Sequence, residues 1–489
     1  MSIGSPLLRG AREVLAFARE VYADTEWSPV VAVLADRLDE PLRVAIAGKV
    51  KAGKSTLLNA LVGEPLAPTD AGECTRIVTW YREGLTYRAT LHPRHGEPRE
   101  VPFERAAGAV VVDLEGFPVD EVAQLTVEWP SSVLRTMTLV DTPGLGSLSA
   151  DAGTRTQAML APEDEPSVAD AVLYLMRHVH HGDVRFLEAF RDDTAAGTPV
   201  NAIAVLSRAD EVGGARLDAL ESAARIADRY RTDPAVRRVC HTVVPVAGLL
   251  AQASSSLTEA EFRSLVRLVE ASPDVLDEML QSVDRVVDPD LAVGVSDLER
   301  RHLLDRLGLF GLRLALDLLA AGDVRSSREL ADELRAASGI TRLREVLARD
   351  VVARRDLLKA RSALVGLDRL LVAHPVDGSD ALAARLEALT ASSHEVAELR
   401  LLTEVRAGAV ALPDDLLAEV ERVLSGGVVA DRLGLGPEAD AAAVQAAIVD
   451  GAQRWRRRAE FAATPKPVRD ASAVLVRSYE GMLADLSAG

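Results

Sequence analysis

"GKVKAGKST", residues 48–56, places three lysines and two glycines in nine positions of a chain whose formal net charge is −18. Gly48 to Ser55 matches G-x-x-x-x-G-K-[ST], the phosphate-loop pattern. The apolar run "LRVAIAG" (42–48) before it predicts a short buried strand. "KSTLLNALVG" (54–63) after it predicts a helix that stops at Gly63. Between a strand and a helix, the loop amides and the helix N-terminus face phosphate oxygens. Gly48 and Gly53 permit the backbone angles and close approach that such a loop needs. Lys54 is expected on the β- and γ-phosphates and Ser55 on Mg²⁺. The nucleotide contacts then run through Gly48, Val50, Lys51, Ala52, Gly53, Lys54, Ser55 and Thr56. One lysine is accounted for; Lys49 and Lys51 need their own reasons.

Outward from the loop the pattern is βα alternation. "RTMTLVDTPG" (135–144), "ADAVLYLMR" (169–177), "VNAIAVLS" (200–207) and "HTVVPVAG" (241–248) are apolar strands separated by helical stretches. That alternation predicts a parallel sheet covered on both faces. "RIVTWYREG" (76–84), "YRATLHP" (87–93) and "QLTVEWP" (124–130) predict an antiparallel extension of it. The expected fold of the first half is therefore an α/β head with a mixed, mostly parallel sheet.

Three strand ends carry chemistry. Asp141 opens "DTPG" where Mg²⁺ needs a second anchor opposite the phosphate loop. The Gly144 amide is placed to sense a γ-phosphate. "SRAD" (207–210) ends the strand "AIAVL". A carboxylate there accepts two hydrogen bonds from guanine N1–H and the exocyclic amine, a donor pair that adenine lacks, so Asp210 argues for GTP and GDP over adenine nucleotides. Ser207 and Arg208 replace the first two residues of the usual [NT]-K-x-D, and Arg208 can lay its stem and guanidinium along the base. Val246 and Ala247 stand where a backbone N–H would meet guanine O6. A threonine must complete the Mg²⁺ shell from the loop after the first helix. Thr75 in "GECTRIVTWY" is the choice and Thr69 in "APTDAG" the alternative. No side chain in these motifs is an evident general base, so positioning and electrostatics would carry catalysis.

The chain has 489 residues, enough for two to four domains, with 48% apolar and only 4% aromatic residues. Leu, Ala and Val dominate, which favours helix. The acidic balance argues against a nucleic-acid binder, and no basic RNA-binding module follows the head as a ribosome-assembly or translation-type GTPase would require. Two cysteines, Cys74 and Cys240, lack metal-ligand spacing and fit a reducing cytosol. No signal sequence and no apolar run long enough for a transmembrane helix is visible.

Residues 5–24 read as an amphipathic helix on Leu7, Ala11, Val14, Leu15, Ala18, Val21 and Tyr22. After about residue 255 strand signals vanish. Ile340, Leu343, Leu347, Val351, Leu358 and Val365 form one apolar stripe along a long helix, and the remainder reads as a helical bundle or stalk. "RWRRR" (454–458) is weighed as a lipid contact and favoured as a solvated helix face with Trp455 packed inside. "LGLFGLRLALDLL" (307–319) is favoured as core rather than membrane contact. His178, His180 and His181 with Asp183 lack a third metal ligand at suitable spacing and read as switch or interface residues. Cys74 reads as loop filler, and Lys49 as pointing to solvent or to a partner.

The stretch 48–75, "DTPG", "SRAD" and the helical second half resemble the bacterial dynamin-like GTPases, with the mycobacterial isoniazid-induced proteins nearest in character. The specific likeness covers about residues 40–250. It implies an α/β phosphate-loop GTPase head (40–254) with N-terminal neck helices (1–39), a helical neck (255–340) and a helical trunk (341–489) with a membrane- or partner-binding tip. It implies GTP hydrolysis with Mg²⁺, head-to-head homodimers or heterodimers with a second dynamin-like protein, and membrane remodelling from the cytoplasm, with peripheral contact at the inner face of the plasma membrane. The alternative is a regulatory or scaffold partner of a larger dynamin-like protein. Eukaryotic dynamins carry Gln and Ser at the positions of Val50 and Lys51, where they hold the attacking water and a monovalent cation. Val50 cannot orient water, and Lys51 is expected to supply the cation's charge itself. Leu145, not Gln, follows "DTPG".

Overall fold

The computed structural model describes residues 5–68, 77–106, 109–143, 169–177, 183–184, 187–188, 201–291, 293–436 and 438–488. The chain enters through helix α1 (Pro6–Val21), started by Ser5, whose hydroxyl accepts from the Leu8 amide at 3.3 Å, and by Pro6 in the first turn. Its stripe Leu7, Leu8, Ala11, Val14, Leu15 and Ala18 is buried, as the helical spacing predicts. A second helix, α2 (Ser28–Asp36), follows.

Strand β1 (Leu42–Gly48) then enters the middle of a nine-stranded sheet. In chain order the strands are β2 (Thr79–Glu83), β3 (Arg88–Pro93), β4 (Arg99–Glu100), β5 (Phe103–Ala106), β6 (Ala109–Val112), β7 (Val122–Trp129), β8 (Met137–Asp141), β9 (Ala171–Met176), β10 (Ala202–Ser207) and β11 (Thr242–Val246). The sheet order is β11-β10-β9-β1-β8-β2-β7-β3-β4, with β5 and β6 in a separate hairpin. From β11 to β8 all pairs are parallel. β2 joins β8 antiparallel, and β3 joins β7 and β4 antiparallel. The extension is not wholly antiparallel, since β2 and β7 run parallel.

Both faces of the parallel part are covered, which is why its strands read as unbroken apolar runs. Val44 and Ile46 of β1 enter one core, with α3 (Lys54–Val62). Ala45 and Ala47 enter the opposite core, with α4 (Ala219–Thr232) and α5 (Pro234–Val239).

The helices after β11 are α6 (Gly248–Ser256), α7 (Glu259–Val269), α8 (Pro273–Met279), α9 (Val283–Val286), α10 (Asp297–Ala321) and α11 (Ser327–Ala337). Capping boxes at Thr258/Glu261 and Ser296/Glu299 start α7 and α10. Leu307, Phe310, Leu312, Ala315 and Leu316 of α10 lie in a core shared with Leu250 of α6, so "LGLFGLRLALDLL" is interior, as expected.

The long stripe that begins at Ile340 is not one helix. It runs through α12 (Ile340–Val346), a π turn at Leu347–Val351, a 3-10 turn at Val352–Arg354, and α13 (Arg355–Ala373). Ile340, Leu343, Leu347, Val351 and Leu358 cover the head sheet. Buried Asp350 sits in the irregular turn, where it pairs with His241 of the head and with Arg349, so a tertiary contact accompanies the break. Further along, α13 and α14 (Ser379–Ser392) bury the stripe of α1 and the inner face of α2. The last core gathers α15 (His394–Arg406), α16 (Asp414–Val423), α17 (Val429–Leu433), α18 (Ala441–Glu460) and α19 (Lys466–Ala488). Arg37 of the segment after α2 forms a buried 2.7 Å ion pair with Asp170 before β9, and Asp170 also accepts from the Arg43 amide at 2.9 Å. That pair ties the entering helices to the head.

Candidate functional site

Parallel pairing brings the motif-bearing strand ends together. Ile46 of β1 is in register with Asp141 of β8, Gly48 with Leu175 of β9, and Ser207 of β10 with Val246 of β11. The chain therefore leaves β1, β8, β10 and β11 at one edge, where ligands of such sheets bind. A Cβ on Gly48 would lie 2.6 Å from the Leu175 carbonyl, so only glycine lets the loop leave the sheet this close to β9. The loop closes with the Ala52 amide on the Lys49 carbonyl at 3.1 Å. Lys51 is left-handed (φ 60°), as is Gly53 (φ 94°), the cap of α3. The ammonium of Lys54 is held against the loop carbonyls of Gly48 (3.3 Å) and Lys49 (3.4 Å). Burial lowers its pKa, and the charge of Asp141 opposes that shift.

Ser55 donates to Asp141 Oδ2 at 3.3 Å across the gap between α3 and β8. Asp141 Oδ1 is buried with no hydrogen-bond partner. Burial pushes the Asp141 pKa up to about 6, against the pull of Lys54 and Ser55. A hydroxyl beside an under-coordinated carboxylate is an oxygen donor set that suits a hard cation, and Mg²⁺ fits it. Ser55 and Asp141 are the residues that would hold the ion. Thr142 fixes the turn, its hydroxyl on the Ile46 carbonyl at 2.9 Å.

Next to the loop is a cavity of about 130 Å³ bordered by Ala52, Gly53, Thr56, Ser207, Arg208 and Asp210, with Val246 behind. Asp210 is buried, and desolvation raises its pKa. Arg208 adopts a left-handed conformation (φ 55°). Its stem borders the cavity, but its guanidinium reaches the Lys51 carbonyl at 3.1 Å and Glu211 at 2.6 Å. The turn at 207–211 and the loop at 48–55 are thereby tied together. The Ala247 amide, expected to face guanine O6, instead donates to the Ser338 carbonyl at 2.9 Å. A donor for O6 from this turn would come from Gly248, the first residue of α6, whose N–H has no intrahelical acceptor. Helix α10 borders the same place. It kinks at Gly308 (φ 67°, ψ 174°), and a Cβ there would be 3.7 Å from Asp210 Oδ2.

Thr69, Thr75, Gly144, Cys74, His178, His180 and His181 lie outside the described residues. Lys49 is not directed to solvent alone. Its ammonium is 3.1 Å from Asp183 Oδ1, which also accepts from the Tyr174 hydroxyl at 2.7 Å. Asp183 is buried, and a buried carboxylate demands such partners. In "RWRRR", Trp455 is interior and donates to Glu419 at 2.9 Å, while Arg454 and Arg456 are ion-paired, as favoured. Cys240 is buried with its thiol pKa pushed up to about 12 by desolvation, an inert thiol. Sequence reasoning missed the Arg208 bridge, Gly308 and Ser338. A glycine inside a helical run at 308 is the one signal that was visible.

The dynamin family model matches residues 44–192. The isoniazid-induced protein IniC of Mycobacterium tuberculosis is 42% identical over 457 residues, 92% of each chain. A bacterial dynamin-like protein of Nostoc punctiforme is 30% identical over 164 residues, 30% of this chain and 22% of that one. A solved structure of an oligomerised bacterial dynamin pair aligns with 99% of this chain and 75% of its own at 12% identity and a TM-score of 0.30. With an IniC relative matched along nearly its whole length, the chain belongs to the bacterial dynamin-like GTPases, together with the mycobacterial isoniazid-induced proteins.

Proposed function

We propose that the head binds GTP and hydrolyses it to GDP and phosphate with Mg²⁺. The observation that carries this reading is the Ser55–Asp141 pair, 3.3 Å apart, with the second carboxylate oxygen buried and unpartnered beside the phosphate loop. Lys54 and the loop amides hold the phosphates. Asp210 reads the guanine edge, and Arg208 keeps the base turn in register with the loop. Mg²⁺, when bound, offsets charge between the β- and γ-phosphates. Lys51 supplies positive charge where relatives recruit a monovalent cation. Thr75, or Thr69, and the Gly144 amide complete the γ-phosphate side. Turnover against protein concentration tests the reading. Specific activity should rise with concentration as heads dimerise across the nucleotide face. Ser55→Ala and Asp141→Asn should each lose about 100-fold or more in kcat/KM. Turnover unchanged in both variants would overturn it.

The division of labour follows the family: a head at about 40–254, helices that lever on it, and a trunk from 341 that reaches membrane or partner. Membrane remodelling coupled to head dimerisation is the expected output. The α18–α19 hairpin turns at 461–465, where Phe461 is 63% exposed, and this favours a shallow peripheral contact. No helix among the described residues is long and apolar enough to cross a membrane. The buried Trp455 and paired arginines favour a second reading, a regulatory or scaffold partner of another dynamin-like protein. Co-sedimentation with anionic liposomes and GTP separates them: Phe461-dependent pelleting supports the first, and pelleting only with an added partner supports the second.

A further inference from the structure

Where the head meets the trunk, a cleft of about 1240 Å³ opens on the side of the sheet away from the phosphate loop's turn, beginning at His241 and Thr242 of the β11 entry. Arginines converge on it from three parts of the chain: Arg231 and Arg237 from the head, Arg342 and Arg349 from the connecting segment, and Arg406 and Arg422 from the trunk. In a chain of net charge −18 this is an unusual concentration. Glu345 pairs with Arg342 at 3.2 Å and Asp228 with Arg231 at 2.6 Å, but the carboxylates present do not saturate the rest. Glu421 is shared between Arg237 (2.7 Å) and Arg406 Nε (3.3 Å). Asp350, wholly buried, serves Arg349 at 2.7 Å and His241 at 3.1 Å. Arg406 has a side chain only 8% exposed, yet its Nη1 has no hydrogen-bond partner. Arg422 is exposed; its backbone carbonyl accepts from Ser425, but its guanidinium makes no hydrogen bond or ion pair among the described residues. A buried donor left unpaired costs about 1–3 kcal/mol, so such groups point to a ligand that completes them.

We propose that this cleft binds a small soluble polyanion carrying two or more phosphate groups, which bridges head and trunk. Guanidinium forks match phosphate oxygens two at a time, which a lone chloride cannot do, and several forks around one cleft suit an occupant with more than one such group. The space exceeds that of a single phosphate. The arginines come from separate units, so an occupant ties β11, whose far end borders the base cavity, to the trunk helices. Arg406 and His241 line the inner wall of the cleft, a depth that a small molecule enters and a flat bilayer does not.

The test uses the full chain carrying Lys54→Ala, so that the phosphate loop is weakened, with inorganic pyrophosphate as the probe in calorimetry and thermal unfolding. Pyrophosphate should bind the K54A chain near one to one and raise its melting temperature. Adding Arg422→Gln, a change at an exposed position, should weaken binding about tenfold and remove most of the shift. Two results overturn the proposal: no pyrophosphate binding in K54A, or equal affinity with and without R422Q. Phosphatidylglycerol vesicles form the second arm. R422Q-sensitive vesicle binding that pyrophosphate does not compete would assign the arginines to a lipid surface and also overturn it.

Discussion

The Ala247 amide donates to the Ser338 carbonyl at 2.9 Å. This single bond joins the turn that follows β11, beside the base cavity, to the junction between α11 and α12. Gly339 seals the joint, because it is left-handed (φ 78°) and a Cβ there would run into the Pro245 carbonyl. The end of the cavity at β11 is therefore in mechanical contact with the helices that follow α11, and in the proposed reading this is a route by which nucleotide state biases them.

Gly339→Ala is expected to destabilise the chain by about 2 kcal/mol, from the left-handed backbone and the collision together. Urea unfolding measures that. The same variant should weaken GDP binding by about threefold or more, because the displaced carbonyl belongs to the strand that ends at the cavity.

Asp141→Asn should act with opposite signs on stability and function. The folded pKa is about 6 against an ordinary 3.8, so the folded state holds more protons than the unfolded one between those values. Without Mg²⁺, stability from this group is full below pH about 4 and is lost as pH rises through about 6. Burying the carboxylate ionised at pH 7.5 costs up to roughly 3 kcal/mol for a shift of that size. The asparagine chain, free of nucleotide and Mg²⁺, should therefore melt higher than wild type at pH 7.5, with the gain shrinking toward pH 4. Its affinity for Mg²⁺-nucleotide should fall about tenfold or more. A pH series of melting curves with and without Mg²⁺-GDP reads both.

Asp210→Asn should change which base is preferred. Guanine presents two donors to a carboxylate, whereas an amide offers one donor and one acceptor, the complement of xanthine. GDP affinity should drop roughly 10–100-fold and xanthosine diphosphate should gain, by competition binding.

Lys51→Ser should make turnover cation-dependent. Wild type should turn over GTP equally in Na⁺, K⁺ or neither. The serine chain should lose about tenfold without a monovalent cation and recover in part with K⁺. A wild-type enzyme that itself requires added K⁺ would remove the substitution idea.

Glu419→Ala should loosen the trunk hairpin. One carboxylate oxygen accepts from Trp455 Nε1 at 2.9 Å, Tyr479 hydroxyl at 2.8 Å and Arg454 at 2.9 Å. Removing it leaves the buried donors of Trp455 and Tyr479 unpaired, while half-exposed Arg454 keeps Asp450, at a cost of about 2–4 kcal/mol. Trp455 fluorescence during urea unfolding should report the earlier transition.

The sequence by itself determined the strand–turn–helix around residues 48–56, the parallel part of the sheet, and that Lys54, Ser55, Asp141 and Asp210 stand at its strand ends. These are local matters: a strand, a tight glycine-dependent turn and a helix start are dictated by neighbouring residues, and parallel strands read as continuous apolar runs. The stripe of α1 and the interior place of Trp455 were legible for the same reason, since helical spacing records which face is buried. Only the tertiary structure decided the rest. The stripe from Ile340 is broken where Asp350 meets His241, 109 positions away in the chain. Lys49 is claimed by Asp183, Arg208 by the Lys51 carbonyl, and Ala247 by Ser338. Each of these pairs joins residues that no period or motif relates, because a buried polar group takes whatever partner the packing of distant segments delivers.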